Sequence, residues 1–478
     1  MKVSDFYKLN RTQPYLDFVD VPLDTDIEVF VDPAAVRILS SSWGTECVSL
    51  LQHFFESVLS RIGKAKDAEA IGLLASLNER NEFHLGYSRG KSQGKALGQL
   101  SASKVWDALA KSKAAKSALL QDLEDTCLLI HGIDTDIISD AVCNIIRGPL
   151  VKYTQEMCTY YGIPTEPKVD SGPIWNPSSE QWEHHLIPLP MTPQGKLVLV
   201  PKIIVRHRLW YRAEEYYRHY LLPEMQQEEL KAKSGLVQVL KDGRRRVTKK
   251  SLMEKYGADK LAIVEQTIKH PQVLKGYRET KRKTLPKPLT HEDFAEIESV
   301  DAPKWDELLA SLTSIPTGNE KASTYEGVIE RLLTSLFYPS LCNPVKQHEI
   351  HEGRKRIDIT YVNVARVGFF AWVAQHYPAA HIFIECKNYG KEVGNPEIDQ
   401  LSGRFSPSRG QVGILVCRKI SNREKLIKRC RDTANDHRGF ILSLDDDDDL
   451  GGIIKEQLKR KDEQGFPLLG ALFSKLVM

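Results

Sequence analysis

The chain has no run of 18 or more apolar residues, so no segment of it reads as a transmembrane helix. Its first residues, MKVSDFYKLNRTQPYLDF, lack the apolar core of a signal peptide, and export by that route is not expected. No Cys-x-x-Cys pair occurs. Eight cysteines scattered over 478 residues make neither a disulfide framework nor a zinc knuckle, and reduced thiols in a cytoplasmic setting are the expectation. An internal repeat is also missing. With 41% hydrophobic and 27% charged residues, the composition excludes collagen-like, wholly disordered and membrane-embedded chains. At roughly 150 residues per domain the length allows three domains or two larger ones.

Excess charge of one sign is absent overall but not locally. Residues 231–290 hold 17 Lys and Arg against 5 Asp and Glu, a net of +12, so the other 418 residues carry −9 of the overall +3. Such asymmetry points to nucleic acid. The patches KDGRRRVTKK (241–250) and YRETKRK (277–283) fall on predicted helices with Tyr256 and Tyr277 among them. Arg244, Arg245, Arg246, Lys249 and Lys250 are the candidate contacts, weighed against a solvated linker helix.

Residues 1–230 read as mainly helical and partly β. Apolar residues recur at helical spacing over 48–62, 102–123 and 137–158, and strand-like runs occur at 26–32 and 196–205. In the helical stretch 210–222, Trp210, Tyr211, Tyr216, Tyr217 and Tyr220 read as core rather than a base-stacking platform. Prolines and small polar residues over 284–320 place a boundary near 300–320. The division is therefore 1–230, read as a sensing or binding region; 231–300, a basic segment and linker; and 301–478, a separate C-terminal domain.

Residues 320–478 change character. The order is helix (323–337), strands (345–352, 355–362), an inserted helix (367–375), strand (380–389), helix (395–405), strand (411–419), helix (422–436) and strand (439–444). That alternation predicts a central mixed β-sheet flanked by helices, an α/β domain. Asp358, in RIDIT, and Glu385-Cys386-Lys387, in IFIECKNY, fall on two of its strands. Alternation along a strand points Glu385 and Lys387 to the same face. If the two strands pair, Asp358 joins them. Two carboxylates at a strand end make a hard-oxygen site suited to Mg²⁺, with the Cys386 carbonyl as a further ligand and the cysteine side chain in the core. A divalent ion there polarises a phosphate oxygen and activates water, while Lys387 orients that water or stabilises the developing charge.

This arrangement resembles the PD-(D/E)xK, or restriction-endonuclease-like, nuclease superfamily, and within it the Mrr-like and type IV restriction enzymes and related phage-defence nucleases. The resemblance spans residues 323–478, about a third of the chain. It implies a restriction-endonuclease-like fold and a Mg²⁺-dependent endonuclease, with Mn²⁺ as a substitute. The pattern's helix Glu falls on Glu326, with Glu330 one turn later as competitor, and its later helix Gln on Gln400. The step of 27 positions from Asp358 to Glu385 exceeds the pattern by an inserted helix. DNA is the expected substrate and RNA the alternative. A nucleic-acid-binding protein with an inactive core, or a core gated by a partner protein, competes with both. One such site cuts one strand, so double-strand cutting implies a homodimer or repeated nicking.

Other residues are weaker candidates. Arg354, Lys355 and Arg356 precede Asp358 and suit the nucleic-acid backbone; so, less directly, do Lys391 and Arg404. Asp445–Asp449 reads as a solvated loop rather than a cation site. The stretch 84–98 is one residue short of a Walker loop and reads as a flexible basic glycine loop. Asp134, Asp136 and Asp140 are a minor metal candidate, with Asp140 expected early in a helix. His184 and His185 lack metal spacing.

Overall fold

The computed structural model of the chain describes residues 1–478 apart from 65, 78–79, 87–107, 110, 118, 285, 299, 351–354 and 460–464, and only the backbone of 347–350, 355 and 356. Two apolar cores organise it. One gathers residues from Val3 to Phe294 and takes in Tyr338, Cys342 and Val364. The other runs from Leu312 to Leu476. Among the described residues no helix is long and apolar enough to cross a membrane.

The longer helices of the first body begin with α1 (Ser42–Gly63), capped by the Ser41 hydroxyl. The stretch 137–158, read as one helix, is two: α2 (Thr135–Ile145) and α3 (Arg147–Tyr161). Pro149 supplies no N–H to the turn before it, so the hydrogen-bond ladder cannot run through. Asp140 accordingly lies well inside α2, and Asp134 is its cap. The run 196–205 is not one continuous strand: Lys196 pairs with Met191, and Val205 pairs antiparallel with Val31 of the run 26–32, each in a two-stranded ladder. Its buried backbone bonds one residue at a time, Val198 to the Glu82 carbonyl and Leu199 to the Thr154 hydroxyl. The expected helix over 102–123 lies largely outside the described residues; Lys113–Lys116 within it is helical. Of the glycine loop, residues 87–98 lie outside them. The aromatics of 210–222 do enter the core, with Tyr216 fully buried.

The basic segment is folded rather than an arm. A short hairpin pairs Gln238–Val239 with Arg245–Arg246. It leads into α4 (Lys249–Tyr256), α5 (Lys260–Lys269) and α6 (Pro271–Lys283), followed by α7 (His291–Glu298). Val247, Leu252, Ile263, Leu274 and Tyr277 all join the first core. On α6, Leu274, Tyr277, Arg278 and Lys281 repeat at helical spacing and face inward. Arg278 grips Asp125 through two nitrogens, and Lys281 meets Glu215 at 2.8 Å. Two cations of the basic segment, Arg278 and Lys281, therefore brace the interior.

The second body begins with α8 (Trp305–Thr313) and α9 (Ala322–Leu336). Then come β1 (Leu341–Ile350), β2 (Lys355–Asn363), α10 (Gly368–His376), β3 (His381–Lys387), α11 (Asn395–Ser402), β4 (Val412–Cys417), α12 (Arg423–Asn435) and β5 (Phe440–Asp445). Helices α13 (Gly451–Lys459) and α14 (Pro467–Val477) close the chain. The sheet has the order β1-β2-β3-β4-β5. Its first three strands are antiparallel, and β3, β4 and β5 are parallel. Every residue of β4 is buried, as a parallel strand covered on both faces requires. The mixed α/β architecture, including the helix inserted between β2 and β3, is the one predicted.

Asp445–Asp449 departs in part from the expectation of a solvated loop, since Asp447 and Asp448 are exposed but Asp445, Asp446 and Asp449 are buried. Asp445 accepts from the backbone N–H groups of Asp448 and Asp449 and caps the helix that leads into α13. Arg423 bridges Asp445 and Asp449, Arg418 meets Asp446, and Tyr325 donates to Asp446 at 2.6 Å. Unsatisfied N–H groups at a helix start draw acids inward when cations complete the charge.

Candidate active site

The register of β2 on β3 sets Ile359 opposite Ile384. One step further, at the ladder's end, Asp358 comes opposite Glu385. There the Asp358 carboxylate replaces a main-chain acceptor and takes the Cys386 N–H at 2.8 Å. This is the carboxyl end of a parallel strand, the usual ligand position in open α/β sheets.

Phe383, Glu385 and Lys387 share one face of β3, by strand alternation. That face meets α11 and the turn after it. Phe383 stacks on Phe405 at 5.7 Å, and Lys387 Nζ lies 3.2 Å from Gln400 Oε1. Phe405 fits because residue 413 is glycine, where a Cβ would come within 2.9 Å of its ring. The seated ring in turn aims the preceding residue, Arg404, at Glu385. Glu385 is 1% exposed and engaged on both oxygens, Oε1 by Lys387 Nζ at 2.7 Å and Oε2 by the Arg404 guanidinium. Arg404, expected as a phosphate contact, is thus a buried carboxylate partner. Burial pushes its guanidinium down and Asp358 pulls it up.

Cys386 points to the other face and packs on the second core. Burial raises its thiol well above the usual value, and Asp358 and Glu326 push the same way. Glu326 is on that side, 13% exposed and 3.7 Å from Lys346 of β1. The competitor Glu330 is withdrawn from the site altogether. It is fully buried, held by Arg11 at 2.5 and 2.9 Å and by the Tyr160 hydroxyl at 2.6 Å.

Asp358, Glu385, Lys387, Gln400 and Arg404 therefore converge, with Glu326 and Lys346 across the strand end. Lys391 lies on the exposed loop after β3, over the Tyr389 ring. Arg354 lies outside the described residues, and Lys355 and Arg356 are placed by backbone only, at the start of β2. Arg244, Arg245, Arg246, Lys249 and Lys250 belong to the first body. Lys346 and the counter-ion role of Arg404 escaped the sequence reading. One signal for Arg404 was available, since it stands four residues after Gln400, one helical turn on.

The donor set suits a small hard cation: two carboxylates and a backbone carbonyl, the partial cage that Mg²⁺ takes when water and phosphate complete its shell. Among the described residues no three His, Cys, Asp or Glu are gathered tightly enough to hold a metal by themselves. In the arrangement seen, cations occupy both oxygens of Glu385. Asp358, Glu385 and Glu326 are balanced by Lys387, Arg404 and Lys346. Asp134, Asp136 and Asp140 form no such group either.

A family model described as "Domain of unknown function (DUF8370)" matches residues 8–212, within the first body and upstream of the site. No curated protein matches the chain. A solved structure titled "Structure of restriction endonuclease FokI bound to DNA" is similar over 69% of this chain at 13% identity, with a TM-score of 0.20. The chain spans 61% of the length of that protein.

Proposed function

We propose that the second body is a metal-dependent endonuclease domain that hydrolyses phosphodiester bonds of DNA. The observation that carries this reading is the meeting of Asp358, Glu385 and Lys387 at the adjoining ends of β2 and β3, with Gln400 and Arg404 on the same face. Asp358, Glu385 and the Cys386 carbonyl would hold Mg²⁺ or Mn²⁺. Such an ion supplies Lewis-acid polarisation of a phosphate oxygen and a more acidic water. Lys387 Nζ, fixed between Glu385 and Gln400, is placed to orient a water and to balance charge on the phosphate. Gln400 holds Lys387 through its amide oxygen. Glu326 keeps a third acidic group near the strand end. Arg354, Lys355 and Arg356 are proposed backbone contacts. Restriction or defence against phage is the setting we assign to this activity.

Plasmid cleavage with Mg²⁺ or Mn²⁺ tests it, wild type beside Asp358→Ala and Lys387→Ala, with an EDTA control. Metal-dependent cutting by wild type alone is expected. Equal cutting by all three proteins would remove the reading, and cutting confined to RNA would replace the substrate.

A further inference from the structure

We propose that the first body carries its own docking surface for the phosphodiester backbone of nucleic acid, made by the 238–246 hairpin and the groove beside it. The inference stands on the first body alone and does not require the second to cut. The cations of residues 231–290 divide in two. Arg278 and Lys281 are buried and paired, and the fold needs them. Arg244, Arg245 and Arg246 instead stand exposed on a hairpin whose ladder is only two residues long, rooted by buried Val247. The groove next to it has a volume of about 460 Å³. Leu222, Met253 and Ala258 line its floor, and Arg218, Lys249 and Lys250 its rim together with one acid, Glu254.

Acids here are few, and their ion pairs are exposed. Arg244 meets Asp242 at 2.7 Å, Arg218 meets Glu214 at 3.2 Å and Lys250 meets Glu254 at 3.8 Å, with the Lys250 side chain 86% exposed. Exposed pairs of this kind contribute little, so the cations can exchange them for phosphates at small cost. The surface therefore presents clustered, exchangeable positive charge beside an apolar floor. That matches a chain with a phosphate on every unit and flat apolar bases between. An acidic polypeptide matches the charge and leaves the floor unused.

The test is fluorescence anisotropy on the full-length protein in EDTA, with a labelled 30-mer as duplex DNA, single-stranded DNA and RNA. The variants are Arg244→Gln/Arg245→Gln/Arg246→Gln, Lys250→Glu and, as control, exposed Lys168→Gln. The three probes identify which polymer supplies the backbone. At about 100 mM salt the triple variant is expected to bind at least tenfold more weakly. Its slope of log K against log salt should be shallower by about 2–3, the loss of three phosphate contacts. Lys250→Glu should weaken binding severalfold and the control not at all. Circular dichroism monitors folding; if the triple variant unfolds, Lys250→Glu decides. Unchanged affinity and slope would overturn the proposal, as would equal displacement of all three probes by polyglutamate. A protein that cuts yet binds independently of the hairpin overturns this proposal and spares the nuclease reading; one that binds through the hairpin and never cuts does the reverse.

Discussion

Glu385 sits where two requirements meet. A carboxylate 1% exposed is tolerable only with partners, and here Lys387 and Arg404 each take one oxygen. Glu385→Ala is expected to destabilise the protein by about 3 kcal/mol, because it leaves two cations buried without a counter-charge. Adding Arg404→Ala should recover part of that loss, and a double-mutant cycle by chemical denaturation measures it. Asp358 separates function from fold more cleanly. Its oxygen accepts the Cys386 N–H, so Asp358→Ala loses that bond at about 1–3 kcal/mol, whereas Asp358→Asn keeps an acceptor and loses only the charge. The Asn variant should melt close to wild type and fail to cut. If it cuts at the wild-type rate, Asp358 is not part of the site.

Helix α9 carries two acids one turn apart, and the packing gives them opposite duties. Glu326 reaches the strand end, while Glu330 locks the helix to Arg11 and Tyr160 of the first body. Arg11→Ala should cost about 3–5 kcal/mol by stranding buried Glu330, and Glu330→Gln in the same chain should return much of it. Denaturant midpoints read both. Helix α7 makes a second link. His291 Nε2 lies 2.8 Å from the Ser335 carbonyl of α9, and its ring is buried against Trp305 and Tyr338. Burial, then the nearby Lys202, pushes this histidine down from 6.5 to about 3. The unfolded chain takes the proton near pH 6.5 and the folded chain does not. Stability from His291 is therefore whole above 6.5 and falls as pH drops from there toward 3, by up to about 1.4 kcal/mol per pH unit. Glu124 and Glu298, raised by burial to about 7, act in the opposite sense. Only the difference between wild type and His291→Gln isolates the effect. That difference should be constant above pH 7 and should shift in favour of the variant on acidification; a constant difference down to pH 4 would refute it.

At the scale of the molecule, the two bodies are joined by buried polar contacts rather than by a linker alone. Besides Glu330 and His291, the Asn343 N–H reaches Asp17 at 3.0 Å and the Tyr338 hydroxyl reaches the Leu289 carbonyl at 2.9 Å. Residues 301–478 expressed alone would uncover Glu330, Ser335 and Tyr338. They are expected to be less stable and less soluble than the full chain, as thermal melting and sedimentation would show. Each chain has one proposed cutting site. Plasmid should therefore pass through a nicked circle before becoming linear, unless two chains act together. A linear product that rises with the square of protein concentration, without a nicked intermediate, would indicate a working dimer.

The mixed sheet and its strand-end triplet were legible in the sequence because period-two apolar runs and the Glu-x-Lys spacing are local properties. A strand places residues 385 and 387 on one face whatever surrounds it. The inserted helix and the order of elements were legible for the same reason. Tertiary structure alone decided which of Glu326 and Glu330 faces the strand end, since both fit the same helix and the choice depends on where Arg11 and Tyr160 arrive from far along the chain. It decided that Arg404 meets a carboxylate and that Asp445, Asp446 and Asp449 turn inward, Asp445 as a helix cap, while Asp447 and Asp448 stay exposed, because the counter-charges come from other segments. It also split the basic segment, whose composition is uniform, into cations that brace the core and cations that face solvent. Charge is written in the sequence; whether a charge is buried and paired is set by the packing around it.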